Sequence, residues 1–237
     1  MSAQSVQRRP SNRVLHALAA FGLGVRECER MLRAERRAWR EGAARIVEPG
    51  RGVRVAAILG PSGSGKSSVL REVGAMVERA GCAALRSADG AWASEMEGRA
   101  AVEIPGTTLG ESISLLARVG LAEPRLFGRG VEALSDGQRA RLRLALLMRD
   151  ALEARRESGA PVWLLIDEFG SGLDITTARG VASALARFVR RTDGVAAAVC
   201  VHDERVLAWL EPEVTLELSL DATAGVREHR ERVKGVA

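Results

Sequence analysis

Short apolar runs alternate with longer amphipathic stretches along most of this chain. Val53 to Leu59 (VRVAAIL), Val162 to Ile166 (VWLLI) and Val195 to Val201 (VAAAVCV) are continuous or nearly continuous apolar segments. Such runs mark strands buried on both faces of a parallel sheet. Between them lie helical patterns. Ser68 to Arg79 carries Val69, Leu70, Val73 and Val77 at near-helical spacing. From Ser135 a long helix has Leu142, Leu144, Ala145, Leu146, Leu147, Ala151 and Leu152 on its apolar side, with Arg139, Arg141, Arg143 and Arg149 on its polar side. Gly159-Ala160-Pro161 ends it, and Ile175 to Arg190 reads as another helix.

Shorter elements fill the gaps. Cys82 to Leu85, Ala101 to Ile104 and Val214 to Leu220 are strand candidates, and Glu204 to Leu210 is a short helix. Thr107 or Thr108 would cap a helix through Leu109, Ile113, Leu115, Leu116 and Val119, with Glu111 near its start. Gly120 to Gly130 reads as a loop. Near the N-terminus, Arg26 to Glu41 is a charged helix; as an alternative, Ala43 to Glu48 begins a strand, with Pro49-Gly50-Arg51-Gly52 then the turn before the phosphate-loop strand. This alternation predicts an α/β fold with a three-layer core over residues 43–220 and a small helical subdomain at about 105–158. Residues 1–42 form a basic arm and helix, and residues 221–237 a basic tail.

The first apolar run leads into Gly60-Pro61-Ser62-Gly63-Ser64-Gly65-Lys66-Ser67, which fits the phosphate-binding loop at every fixed position, with Ser68 opening the helix that follows. Glycines let backbone N–H groups converge on a phosphate with no Cβ in the way. Lys66 would reach the β- and γ-phosphates of a nucleotide, and the Ser67 hydroxyl would help to coordinate Mg²⁺. Asp167-Glu168 follows VWLLI directly. A carboxylate at that strand end can hold Mg²⁺, and Glu168, one residue on, can polarise an attacking water.

Composition narrows the picture. Aromatic residues are 3 % with no Tyr, so there is little material for stacking nucleobases along a nucleic acid. The net charge of +5 is compatible with nucleic acid or acidic lipid without establishing either. Cys28, Cys82 and Cys200 show neither disulfide nor zinc spacing and predict reduced thiols. No apolar stretch is long enough to span a membrane, and the N-terminus does not read as a signal peptide, so a cytoplasmic location is expected and any membrane span would come from another chain.

Leu134-Ser135-Asp136-Gly137-Gln138-Arg139 resembles the signature motif of ATP-binding cassette (ABC) ATPases, with Asp136 where glycine is commoner. VWLLIDE resembles that family's Walker B strand and catalytic glutamate, Ser171-Gly172-Leu173-Asp174 its D-loop, and Val201-His202-Asp203 its switch histidine. The motifs occur in the family's order over roughly residues 50–203. The resemblance implies a P-loop NTPase core of the ABC type that uses ATP and Mg²⁺. It further implies a head-to-tail dimer, of this chain with itself or with a related cassette. Ser135, Asp136, Gly137 and Gln138 of one subunit would face the nucleotide on the phosphate loop of the other, with Asp174 at the interface and His202 near the γ-phosphate.

There are departures from the family pattern. No glutamine lies between Lys66 and Gly137, where the family places one against the metal, and Glu103 is the candidate for that place. Trp39 is a distant candidate for stacking on adenine, and Phe169 stands where transporter ATPases commonly have proline. FGSGLDITTAR looks more like soluble cassette ATPases, including those associated with predicted acetyltransferases. The leading expectation is therefore a soluble ABC-type ATPase that rearranges a partner. The alternatives are the ATPase subunit of a transporter working with a membrane permease, a DNA-repair-associated ATPase, and a noncatalytic nucleotide-gated scaffold.

Overall fold

In the computed structural model, the described residues are 17, 20–22, 24–48, 52–87, 96–220 and 224–228. The chain divides into two compact units, Met1–Ala38 and Trp39–Ala237. In the first, the beginning of helix α1 (Val25–Val47) carries an exposed Arg33–Glu29 pair one turn apart. The other named strands and helices among the described residues lie in the second.

Strands β1 (Val55–Leu59), β2 (Ala83–Arg86), β3 (Val162–Ile166), β4 (Val195–Val201), β5 (Val214–Leu218) and β6 (Ala224–Glu228) form one sheet in the order β2-β3-β4-β1-β5-β6. All neighbours are parallel except β5 and β6. Successive side chains of a strand point to opposite faces, and the two faces here bury different sets. Val55, Ala57, Leu164, Ile166, Ala197 and Val199 face a core shared with α5 (Asp136–Ser158) and α6 (Ile175–Arg191). Ala56, Ile58, Trp163, Leu165, Ala198 and Cys200 face α2 (Lys66–Arg79) and the end of α1. Helix, sheet and helix make three layers, as the alternating pattern predicted.

A helical subdomain extends one side. α3 (Leu109–Arg118) begins at Thr108, whose hydroxyl accepts from Glu111 N–H while the Glu111 carboxylate accepts from Thr108 N–H, a capping box. The short α4 (Pro124–Phe127) lies inside the stretch predicted as a loop, and α7 (Leu207–Leu210) follows β4. α3 packs on α5.

Three local expectations are corrected. Ala43 to Glu48 does not begin a strand, because α1 continues to Val47. Gly42 does not break that helix, since a Cβ there would lie 2.7 Å from the Leu216 side chain and its absence lets Ala43 and Ile46 bury against the sheet. Ala101–Glu103 is a 3₁₀ turn rather than part of a strand, and Ala101 and the residue that ends the turn, Ile104, are both buried. The stretch read as a basic tail includes β6, which pairs with β5 and is fastened by Arg227 to Glu217 (2.6 Å) and Glu204 (3.2 Å).

No helix among the described residues is long and apolar enough to cross a membrane. Trp92 and the rest of 88–95 lie outside the described residues.

Candidate active site

Register places the candidate residues along one sheet edge. Leu59 is opposite Val201 in the β1–β4 ladder, so the loop beginning at Gly60 and the turn at His202 leave the sheet side by side. Ile166 is opposite Val199, which brings Asp167 level with Cys200. All three strands run parallel, and their carboxyl ends form the crevice where α/β sheets place ligands.

The phosphate loop turns from β1 into α2 through Gly63 (φ 82°) and Gly65 (φ 93°), left-handed conformations that glycine reaches without a Cβ penalty. Gly60 is held close, because a Cβ there would lie 2.6 Å from the Leu218 carbonyl oxygen. Lys66, 6 % exposed, donates from Nζ to the carbonyls of Gly60 (2.8 Å) and Pro61 (2.7 Å), and Ser64 Oγ donates to Pro61 (2.9 Å). Burial pulls the Lys66 pKa below its ordinary value, with Asp167 and Glu168 among the neighbours acting in the opposite direction. Ser67, Ser62 and Pro61 are exposed, and Ser68 accepts from Arg71 (3.0 Å). The free N–H groups of the first turn of α2 and the Lys66 ammonium make an anion-binding surface.

Asp167 is half-buried and Glu168 exposed. Glu168 has φ 49°, unusual for a residue with a side chain, and its N–H donates to Asp167 Oδ1 (2.9 Å). The next N–H, of Phe169, donates to the Cys200 carbonyl (2.9 Å), locking the acidic pair to the end of β4. Burial first, then Asp167, pushes the Cys200 thiol far above its ordinary range. Among the described residues Cys82 and Cys200 are free thiols.

The described residues contain no cluster of three metal-ligating side chains. One carboxylate, Asp167, and one hydroxyl, Ser67, are hard oxygen donors. That set fits Mg²⁺, which takes few protein ligands and completes its shell with water and substrate phosphates.

Ser135 caps α5 through a capping box: Gln138 N–H donates to Ser135 Oγ (3.3 Å) and Ser135 N–H to Gln138 Oε1 (2.9 Å). Asp136 pairs with Arg139. A Cβ on Gly137 would lie 3.3 Å from the Thr177 methyl. Thr177 N–H, with Thr176 N–H, is accepted by Asp174 Oδ1 (3.0 Å each), so Asp174 is the N-cap of α6. The hydrogen bonds from Thr177 hold its carboxyl below the usual range. Ser135, Asp136, Asp174 and His202 are all exposed.

Two candidates from the departures separate. Trp39 is half-buried against the phosphate loop, its Nε1 within 2.6 Å of where a Gly65 Cβ would stand. Glu103 is exposed and lies outside the cavity of about 110 Å³ that Asp167 and Glu168 line. Ser87, Arg143 and Phe169 do line that cavity. Ser87 escapes sequence reading because a lone serine after a short strand carries no signal. Arg143 carried one: Ala140, Arg143, Leu144 and Leu147 share a helix face at i, i+3, i+4 and i+7. The expectation that Arg143 belongs to the polar side is corrected accordingly.

No family model matches the chain, and no curated protein matches it. Solved structures do. The dimeric structure of MJ0796, a bacterial ABC transporter cassette, aligns with a TM-score of 0.55 over 75 % of this chain and 86 % of its own, at 19 % identity. The fold is that of an ATP-binding cassette. A post-hydrolysis dimer of MJ0796 bound to ADP and Pi gives 0.54 at 20 % identity, over the same shares of both chains. An inward-facing putative metal-chelate type ABC transporter gives 0.51 at 17 % identity, over 74 % of this chain and 73 % of that one. The likeness covers the cassette core with its helical subdomain and does not single out the acetyltransferase-associated group.

Proposed function

We propose that this cassette binds Mg-ATP and hydrolyses it as part of an ATP-clasped dimer, of this chain with itself or with a related cassette. The observation that carries the reading is the register of β1, β3 and β4, which delivers Gly60–Ser67, Asp167-Glu168 and His202 to one sheet edge. The phosphate loop and Lys66 hold the triphosphate. Ser67 and Asp167 hold Mg²⁺, which would neutralise phosphate charge and fix its orientation. Glu168 orients and deprotonates the attacking water, and His202 donates to the γ-phosphate. Trp39 offers an aromatic face for the base beside the loop. The capping box leaves the Ser135 hydroxyl and the Gly137 N–H at an exposed helix N-terminus, where an anion on a partner subunit is favoured. Nucleotide bound between two subunits stabilises the dimer by mass action, and hydrolysis removes contacts to both.

Sequence alone placed a soluble, partner-remodelling ATPase first. The solved structures of like fold give more support to the transporter reading, in which a membrane permease is the partner: MJ0796 is a transporter cassette, and the metal-chelate type neighbour is a transporter. Two variants test the chemistry. Lys66→Ala is expected to lose ATP binding, and Glu168→Gln to keep binding while turnover falls at least about a hundredfold and an ATP-dependent dimer accumulates. Equal turnover in Glu168→Gln and wild type would remove the assigned base. The partner is tested by isolating Glu168→Gln from its own cell with and without Mg-ATP: a permease retained only with Mg-ATP supports transport, and its absence in favour of a soluble enzyme or DNA-processing factor overturns it.

A further inference from the structure

Arginines around the far end of α6 are of two kinds. Arg54, Arg155 and Arg190 serve backbone carbonyls there, donating to Thr192 (2.7 Å), Asp193 (3.2 Å) and Leu210 (3.1 Å). Arg118, Arg187 and Arg191 do not: all three are exposed and have no hydrogen-bond or ion-pair partner among the described residues. They converge on one pocket of about 220 Å³ between α3 and α6, whose remaining lining is Ala117, Ala184 and the buried Phe188. No carboxylate lines it. A helix C-terminus attracts cations, which accounts for Arg118 at the end of α3 and Arg191 at the end of α6 taken singly. It does not account for Arg187, one turn before Arg191, because like charges at i and i+4 cost stability. Nor does it account for the approach of Arg118 from another helix. An anion among the three turns that repulsion into attraction.

We infer that Arg118, Arg187 and Arg191 form a second anion site, for the phosphoryl group of inorganic phosphate or of a phosphate monoester. Guanidinium forks match phosphate oxygens, and a phosphoryl dianion offers three of them to three cations, whereas a carboxylate has two oxygens and a single charge. The pocket opens into a groove that shares Ala117, Arg118 and Arg191 with it and adds the Ser114 and Thr192 hydroxyls beside Leu152, a lining suited to the neutral remainder of an ester. Asp193 is the carboxylate on that groove. α6 begins after Asp174, and Arg191 stands about 25 Å along its axis from there, before the amino end of β4. The site is therefore separate from the phosphate loop, and an occupant ties α3 of the helical subdomain to α6 of the core.

Thermal melts without nucleotide test it, with inorganic phosphate as the probe and chloride holding the ionic strength constant. Wild type and Lys66→Ala are both expected to melt higher as phosphate rises, and the Arg118→Gln, Arg187→Gln double variant to lose most of that gain. The half-maximal phosphate concentration should rise at least about tenfold in Arg187→Gln and less in Arg187→Lys, which keeps the charge without the fork. Without phosphate, Arg187→Gln should melt no lower than wild type, since it removes a like-charge pair. A clearly lower melt there would assign the side chain to the fold and overturn the site. So would equal phosphate dependence in wild type and the double variant, or a dependence lost in Lys66→Ala and kept in the double variant. Equal stabilisation by acetate would overturn the phosphoryl reading. If the double variant does not fold, the single variants enter the same comparison. Co-sedimentation with phosphatidylcholine vesicles, with and without phosphatidic acid, separates the sources once the phosphate effect is seen. Retention that needs both phosphatidic acid and the arginines assigns the site to a lipid headgroup, and retention absent or shared by the double variant assigns it to a soluble phosphate.

Discussion

Replacing Gly65 by alanine tests how the phosphate loop is built. Gly65 has φ 93° and ψ 12° immediately before α2, a left-handed conformation that costs a residue with a Cβ about 1–2 kcal/mol. The added methyl carbon would also stand 2.6 Å from Nε1, 2.9 Å from Cε2 and 3.1 Å from Cζ2 of Trp39. These are atoms of a rigid ring held by a helix whose Ala43 and Ile46 are in the core, so the overlap cannot be relieved by a flexible chain end and should cost about 1–3 kcal/mol. Alanine recovers about 0.4–1 kcal/mol by restricting the unfolded chain. The expected net loss is about 1–5 kcal/mol. Urea unfolding followed by far-UV ellipticity measures it without depending on tryptophan emission. In the Trp39→Ala background the steric part vanishes and the loss should fall to about 1 kcal/mol, leaving the backbone part. A loss below about 1 kcal/mol in the wild-type background would refute the strain argument, and equal losses in both backgrounds would refute the Trp39 contact.

Ser135→Ala should cost about 1 kcal/mol in urea unfolding through loss of the α5 cap, whereas Ser135→Asp, which can cap equally well, should keep stability but weaken the ATP-dependent dimer by placing a carboxylate against the partner's nucleotide. Equal dimerisation of Ser135→Asp and wild type in Mg-ATP, by light scattering, would count against the trans contact. Asp174 has a carboxyl held below its ordinary 3.8 by hydrogen bonds from Thr177, so its charge stabilises the fold above that value and the contribution fades as pH falls through the lowered folded pKa. Wild type should therefore melt above Asp174→Asn at neutral pH, and the gap should close in melts taken between about pH 4 and pH 2. A gap independent of pH would show that the charge of Asp174 plays no part.

Where residues act through their neighbours in sequence, the chain could be read directly. The strand, loop and helix around Gly60–Ser67, the buried run ending at Asp167-Glu168, and the capped helix beginning at Ser135 each depend on contacts within a few residues. Their patterns therefore carried the three-layer fold and the grouping of candidate residues at parallel strand ends. Gly42 shows the limit of that logic. Read locally it ends a helix, and only the Leu216 side chain, far away in sequence, explains why the helix continues through it.

The same holds for the residues that surround the site. Trp39 reaches Gly65 because Ala43 and Ile46 bury the end of α1 against the sheet. Arg143 looks like one of several arginines on an exposed helix face until the packing of α5 turns its side toward β3, and Glu103 looks well placed until a 3₁₀ turn carries it to the surface. β6 forms from a stretch whose charge suggested a tail, because the edge of β5 offers unpaired backbone groups that another strand can satisfy. The sequence by itself determined the chemistry available at the sheet edge, since backbone conformation and side-chain type there are set locally. The tertiary structure alone decided which charges and rings face that edge, because burial, helix rotation and sheet order arise from contacts between segments far apart along the chain.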